Sequence, residues 1–379
     1  MNIRLFKPSL GKEELEEISD SFDKSWVGLG PKVRKFELEW SKFIGCKASL
    51  AVNSATAALH LALAAFRFPE GKKVLVPAIT FASTAFAPIY NKLIPVFVDV
   101  EPDTISISMD DLEKKYNKDC VAVIPVHFGG HPALIDEIIQ FAKIKNLKVI
   151  EDCAHCAGSL YKGKSLGNWS DFGCFSFEEK KLMTTGDGGM LCSDNIELIE
   201  EIKPARWVGI DKDTWKRADG YTDIESKDAM HWYYEINILG YKYNMNDLCA
   251  SIGLSQLKKL KKFNLRRSSA IVKYLEGIKD IEGISPLLPY QSERYNYWLF
   301  GIRCGNRDNL IVFLKSKGIS TGVHYVPLPL MPFFKKFSKN DTPVALNIWK
   351  KFITLPLHSD LTGKEIDYII NNLKEYKKC

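Results

Sequence analysis

The sequence predicts an α/β fold with two units: a large one built on a mostly parallel sheet flanked by helices, and a small C-terminal α+β unit. Three observations predict it. Between about residues 45 and 195, short apolar runs alternate with helix-like segments. Those runs are apolar nearly without interruption, as strands buried on both faces of a parallel sheet require. The chain of 379 residues is also longer than one simple core accommodates, so a second unit is expected, with the division at 1–250 and 251–379.

In order, strands are expected over 73–76, 94–99, 121–126, 147–151 and 172–177, with a further apolar run over 190–193. Helices are expected over 56–65, 83–90 and 134–145 between them. Residues 196–245 are irregular and rich in Trp, Tyr and charge. A helix over 247–265, apolar at Leu248, Ile252, Leu257 and Leu260, bridges to the second unit. That unit reads as a helix over 268–279, a strand over 297–303, a helix over 309–317 and a closing helix over 363–376, separated by Pro-rich loops such as 325–332.

Composition narrows the class. With 46% hydrophobic and 26% charged residues the chain is an ordinary globular protein. A net charge of +6 is too small to indicate nucleic acid as a partner. The one local basic run, Lys258, Lys259, Lys261 and Lys262, has helical spacing and reads as a solvated face. The nine cysteines are odd in number and lie mostly in apolar runs, which implies reduced, buried thiols and a cytoplasmic setting. Cys153 and Cys156 form a C-x-x-C without a second pair at zinc-site spacing, so no metal is assigned. The N-terminus lacks an apolar signal core and no window approaches a membrane span, so no membrane association is expected.

The chemistry concentrates where strands end, since ligands in such sheets sit beyond the carboxyl ends of the strands. In Ser176-Phe-Glu-Glu-Lys-Lys-Leu-Met-Thr-Thr-Gly-Asp-Gly-Gly189 a buried strand runs into two lysines and then a Gly-rich turn. A lysine there serves solubility poorly but suits covalent chemistry, because a desolvated amine has a lowered pKa and attacks carbonyls. Asp152 closes the strand ending at Glu151. A carboxylate in that place can keep a pyridine nitrogen protonated, or it can be a turn aspartate. Asn53-Ser-Ala-Thr56 opens a helix, as an anion site or as a plain N-cap by Ser54. His155 contacts a cofactor or fills its loop, and Phe81 covers a flat ring or packs in the core.

Taken together, these motifs resemble one family. The order Asn-Ser-x-Thr-x-Ala-Leu, Pro-x-x-Thr-Phe, Pro-Val-His-x-x-Gly, Glu-Asp-x-Ala-His, Phe-Ser-Phe-x-x-x-Lys-x-x-Thr-Thr-Gly-x-Gly-Gly and Gly-Tyr-Lys-Tyr-Asn-Met-x-Asp is similar to the DegT/DnrJ/EryC1/StrS family of sugar aminotransferases that depend on pyridoxal 5'-phosphate (PLP). The resemblance runs from Trp26 to His358. It implies the aspartate-aminotransferase-like fold (fold type I), PLP as cofactor, and transfer of an amino group from a donor, L-glutamate, to a keto acceptor. The implied acceptor is a nucleotide-linked keto sugar used in surface polysaccharide or glycoconjugate biosynthesis. A small phosphorylated ketone such as dihydroxyacetone phosphate, or a cyclitol ketone, stands as the alternative. PLP-dependent dehydratase relatives carry histidine in place of the lysine, so Lys181 argues against that chemistry. The complete set of motifs argues against a non-catalytic PLP-binding protein. A nicotinamide dehydrogenase would need a G-x-G-x-x-G that is absent.

By this resemblance Lys181, not Lys180, matches the lysine that carries the cofactor. Asp152 matches the partner of the pyridine nitrogen, and His155 the residue at the ring's phenolic oxygen. Ser176, Ala55 and Thr56, with Ser54, fall in the phosphate site, and Phe81 matches the stacking aromatic. Lys242 matches a residue that reaches the phosphate from the neighbouring subunit, which implies a homodimer with shared sites. Glu178, His324 and Tyr325 are candidate substrate contacts. Two departures stand out: Ala55 where glycine is usual, and Glu178 where many relatives carry His, Phe or Asn.

Overall fold

Seven strands build the main sheet: β1 (Ala48–Val52), β2 (Lys73–Pro77), β3 (Ile94–Val98), β4 (Cys120–Val123), β5 (Lys148–Asp152), β8 (Phe172–Ser176) and β9 (Gly189–Ser193). A short ribbon, β6 (Leu160–Tyr161) with β7 (Lys164–Ser165), intervenes. The structure is a computed structural model that describes residues 1–210, 234–291, 294–338 and 341–376. The sheet order is β1-β9-β8-β5-β4-β2-β3. Strands β3, β2, β4, β5 and β8 are mutually parallel, and β9 runs antiparallel to both β8 and β1. This is the predicted α/β class with a mostly parallel sheet.

Burial explains the apolar runs. Side chains alternate between the two faces of a strand. Val74 and Val76 enter one core cluster while Leu75 enters the other, and Ile150 and Val149 divide the same way. Both faces are covered by helices: α1 (Lys12–Asp23), α2 (Pro31–Ile44), α3 (Ala55–Ala64), α4 (Ala82–Tyr90), α5 (Met109–Lys115), α6 (Ile135–Lys145) and α7 (Ile196–Ile202). In α3 the Ser54 hydroxyl accepts the Ala57 N–H, and seven consecutive residues from Ala57 to Leu63 are buried. The N-terminus of this largely apolar helix is thereby fixed against the sheet.

The second unit contains a three-stranded antiparallel sheet, β10 (Ile284–Pro286), β11 (Phe300–Cys304) and β12 (Phe352–Leu355), in the order β10-β11-β12. Around it lie α8 (Asp247–Ile278), α9 (Arg307–Ser316), α10 (Pro343–Trp349) and α11 (Gly363–Glu375). The N-terminal segment joins this unit: Ile3 bridges Ile319, and the Leu357 N–H donates to the Leu5 carbonyl. Phe6 is thereby brought to the mouth of the cleft described below.

Three expectations differ from what forms, and one strand was not foreseen. The helices expected over 247–265 and 268–279 are one helix of 32 residues, α8. Nothing between 265 and 268 breaks it, and buried Phe263, Asn264, Arg267, Ala270, Ile271 and Tyr274 continue its inner face. The strand expected over 121–126 stops at Val123, two residues before Pro125, which has no N–H to donate. The strand expected from 297 starts at Phe300, because the Trp298 N–H donates to the Gly129 carbonyl instead. Strand β1 was not expected, since Ala-Ser-Leu-Ala-Val carries little β-forming character.

Among the described residues seven cysteines are free: Cys46, Cys120, Cys153, Cys156, Cys174, Cys192 and Cys249. Cys304 is disulfide-bonded, which corrects the expectation of reduced thiols throughout. Among the described residues no helix is long and apolar enough to cross a membrane.

Candidate active site

A cavity of about 410 Å³ opens at the carboxyl ends of β2, β5 and β8, where the large sheet meets the second unit. The connection from β8 to β9 forms one wall and carries Lys181. Its own hydrogen bonds close this loop: Phe177 N–H to the Gly188 carbonyl at 2.8 Å, Thr185 N–H to the Phe177 carbonyl at 2.9 Å, and Lys181 N–H to the Glu178 carbonyl at 2.9 Å. Gly186 takes φ +84°, open to glycine at little cost. At Gly189 a Cβ would stand 2.4 Å from the Ser54 carbonyl carbon and 2.6 Å from Ala55 N. Only glycine lets β9 approach the start of α3 this closely.

Lys181 as a residue is partly buried, while its amine is enclosed. Burial lowers its pKa to about 8, against the opposing charges of Asp152 and Glu178, with Lys180 adding to the fall. The neutral amine is then roughly 300-fold more abundant at neutral pH than for an ordinary lysine. Among the described residues Lys181 Nζ makes no hydrogen bond or ion pair, and it lies 4.2 Å from the ring centroid of Trp298.

Asp152 ends β5 and is buried. Burial pushes its carboxyl pKa up, against Thr84, the Ala154 N–H and the Lys181 charge. Thr84 Oγ1 donates to Oδ2 at 2.8 Å and the Ala154 N–H donates to Oδ1 at 3.1 Å. Thr80 Oγ1 lies 2.7 Å from Thr84 Oγ1. Since the Thr84 proton goes to Asp152, Thr80 is the donor in that pair. The adjacent Glu151 points to the other face of the strand, where it accepts from Gly167, Trp169 and Ser170 N–H groups and lies 3.0 Å from His127 Nε2.

His155 is stripped of charge by burial, with the Lys181 charge next in effect. Its Nδ1 accepts the Gly129 N–H at 3.3 Å, so the ring proton sits on Nε2, 3.3 Å from Tyr325 Oη. The Tyr325 hydroxyl is held protonated by burial. His324 is neutral as well, its pKa brought down to about 4 by burial, and its Nδ1 lies 3.0 Å from Thr354 Oγ1.

Ser54, Ala55 and Thr56 line the floor at the N-terminus of α3, and Thr56 Oγ1 is 2.6 Å from Ser83 Oγ. Ser176 ends β8 on the same wall. Phe81 is more than half exposed at the mouth, its ring 5.7 Å from that of Tyr325. Glu178 lines the cavity with one carboxylate oxygen accepting the Lys180 N–H at 3.0 Å. One chain thus gathers eleven of the twelve candidate residues around a single cavity. The exception is Lys242. It lies in a separate shallow groove with Trp26, Asn53 and Trp207, its Nζ donating to Asn244 Oδ1 at 2.8 Å and sitting 3.6 Å from the Trp207 ring centroid.

Sequence reading missed three residues of the cavity and its support. Thr84 carried a signal, lying one helical turn beyond Thr80. Phe6 and Trp298 carried none, because both arrive from the second unit. Elsewhere His127, Cys153 and Cys156 place their ligand atoms within 4.8 Å of one another. Both His127 nitrogens are already engaged, Nε2 with Glu151 and Nδ1 with the Ala133 N–H.

Comparison with known proteins identifies the family. The chain matches the DegT/DnrJ/EryC1/StrS aminotransferase family over residues 8–374. It is 35% identical over 381 residues to the spore coat polysaccharide biosynthesis protein SpsC of Bacillus subtilis, covering 98% of this chain and 96% of SpsC. It superposes on Spr1654 of Streptococcus pneumoniae, assigned as a sugar aminotransferase and solved in its PMP form, with a TM-score of 0.90 and 30% identity over 99% of this chain and 98% of that one. Aminotransferase TlmJ of Streptoalloteichus hindustanus superposes equally, at a TM-score of 0.90 and 27% identity, with 99% and 98% covered. The chain therefore belongs to the DegT/DnrJ/EryC1/StrS family and is a PLP-dependent aminotransferase of fold type I.

Proposed function

We propose that this enzyme moves an amino group from L-glutamate to a nucleotide-linked keto sugar, for polysaccharide or glycoconjugate biosynthesis. The observation that carries the reading is the enclosed Lys181 amine, with its pKa near 8, sharing one cavity with the buried Asp152 carboxylate. The likeness to SpsC, a polysaccharide biosynthesis protein, supports the sugar acceptor.

The residues present fit PLP. Lys181 would hold its aldehyde, Asp152 its ring nitrogen, and the start of α3 with Ser54, Ala55, Thr56 and Ser176 its phosphate. The N-terminal N–H groups of α3 and the nearby hydroxyls supply the donors an anion needs, and Ala55, where glycine is usual, lines the floor beside them. His155 and Phe81 would contact the ring. When bound, PLP supplies an aldehyde that accepts amines and a ring that takes up the electrons released at the donor's α-carbon. Neutral Lys181 Nζ takes the proton from that α-carbon and later returns one to the acceptor carbon that becomes the amine carbon. Tyr325 keeps its hydroxyl proton for the cavity, because His155 Nε2–H already donates to it. Glu178 stands beside the lysine and suits hydroxyl groups of a sugar better than a phosphate, which it repels.

The reading divides the chain at 1–250 and 251–379, with the second unit supplying Trp298, His324 and Tyr325 to the cavity. It also makes the enzyme a homodimer, because Lys242 matches the family residue that reaches the neighbouring subunit's phosphate, and in its own chain it lies in a groove away from the Lys181 cavity. Seven free thiols accord with a cytoplasmic setting, whereas the Cys304 disulfide runs against it.

Absorbance tests the reaction. The yellow holoenzyme should be bleached by L-glutamate, and the colour restored by a nucleotide-linked keto sugar. No bleaching by glutamate removes it as donor. Restoration by dihydroxyacetone phosphate or a cyclitol ketone, but by no nucleotide sugar, replaces the acceptor.

A further inference from the structure

Lys181 poses an electrostatic problem that its neighbours in the sequence do not solve. An enclosed ammonium is expensive unless something takes the place of its lost hydration. Among the described residues Nζ has no hydrogen-bond or ion-pair partner. Asp152 and Glu178 act on it only through space. What lies against it is the face of Trp298, with Nζ 4.2 Å from the ring centroid. An aromatic face attracts a cation, and does so most strongly for tryptophan and where water is excluded.

Trp298 is held to this task from several sides. It is buried. Its backbone N–H donates to the Gly129 carbonyl at 2.8 Å. Its indole Nε1–H donates to the Lys180 carbonyl at 2.7 Å, one residue before the lysine. Its ring lies parallel to those of His155, at 4.1 Å and 7°, and of Phe6, at 4.8 Å and 6°. The carbonyl on the far side of the lysine, Leu182, accepts from Arg267 Nη1 at 3.2 Å. The backbone on both sides of Lys181 is thus gripped by side chains reaching in from the second unit and from α8.

We propose that Trp298 is a positioning residue for Lys181: its indole N–H fixes the loop at Lys180, and its ring face is the resting place of the Lys181 ammonium whenever that nitrogen is not joined to the cofactor. This rests on reading Lys181 as the lysine that carries PLP. The indole face adds to the through-space pull of Asp152 and Glu178 and stabilises the charged amine without a salt bridge. A salt-bridged amine would be locked protonated, whereas this one keeps a pKa low enough to act as a base.

The test compares wild type with Trp298→Phe and Trp298→Leu as full-length chains freed of cofactor. The Lys181 amine is titrated by the NMR shift of its reductively ¹³C-methylated form, assigned with Lys181→Arg. Circular dichroism checks the fold of each variant. The Lys181 pKa should fall in the order Trp, Phe, Leu, by about one unit overall. In the holoenzymes kcat should fall at least tenfold with the KM for the donor within about twofold. Should the leucine variant not fold, the phenylalanine variant alone must still show a lower pKa than wild type. An unchanged or higher Lys181 pKa in the folded variants overturns the proposal, since a purely structural tryptophan would only admit water and raise it. The underlying reading is checked separately by borohydride reduction of the wild-type holoenzyme. Phosphopyridoxyl mass on a lysine other than Lys181 ends that reading whatever Trp298 does.

Discussion

Asp152 lies in the core with two donors facing it, and both oppose the upward push of burial on its carboxyl. Thr84 holds one carboxylate oxygen and the Ala154 N–H the other, while burial pushes the pKa up. Thr84→Val removes one donor at nearly constant shape. The folded pKa then rises further, and since the ionised carboxylate is the working form, activity is lost at a higher pH as the solution is acidified. The acid limb of kcat/KM against pH should move up by about one to two units, from the worth of a hydrogen bond to a charged group. Superimposable acid limbs would show that Thr84 does not sustain Asp152. At this scale Lys181 and Asp152 were legible because each follows a strand that the apolar pattern already marks. Trp298 and Phe6 were not, for their relevance depends on what they meet across the cleft.

Among the elements, the junction of β9 with the start of α3 shapes the proposed phosphate site. A Cβ at Gly189 would meet Ser54 and Ala55 main-chain atoms, which cannot rotate away as a side-chain tip can. Gly189→Ala should therefore push α3 off the sheet edge, costing about 1–3 kcal/mol in stability and weakening PLP binding at least tenfold. Thermal unfolding and cofactor titration measure the two, and unchanged PLP affinity would refute the dependence of the site on this contact. The strands of the parallel sheet and α3, α4 and α6 were readable to within a few residues, because each carries its own apolar period. The helix break expected near 266 was not real. The polar sequence Arg266-Arg267-Ser268-Ser269 looks like a loop until Arg267 is seen to be buried, donating to the Leu182 carbonyl.

For the molecule as a whole, the placement of Lys242 is the informative fact. It occupies a groove with Trp26 and Trp207 on the surface of its own chain. In the proposed homodimer it serves the partner's cavity. Lys181→Ala and Lys242→Ala should each be inactive alone. Mixed, unfolded and refolded together, they should recover about a quarter of wild-type activity, because half of the dimers are hybrid and each hybrid has one intact site. Recovery at the background level argues that each chain completes its own site.

The sequence by itself determined the fold class and the family, and it singled out Lys181 and Asp152 as the candidate central pair, because these are written in local signals: apolar period, glycine placement and the residue that follows each strand. Only the tertiary structure decided how that pair is tuned. The Lys181 amine is brought near pKa 8 and laid against Trp298, and Asp152 is held through Thr84, by burial and by groups that come from distant parts of the chain. Desolvation and through-space contact depend on three-dimensional neighbours, and no window along the chain contains them.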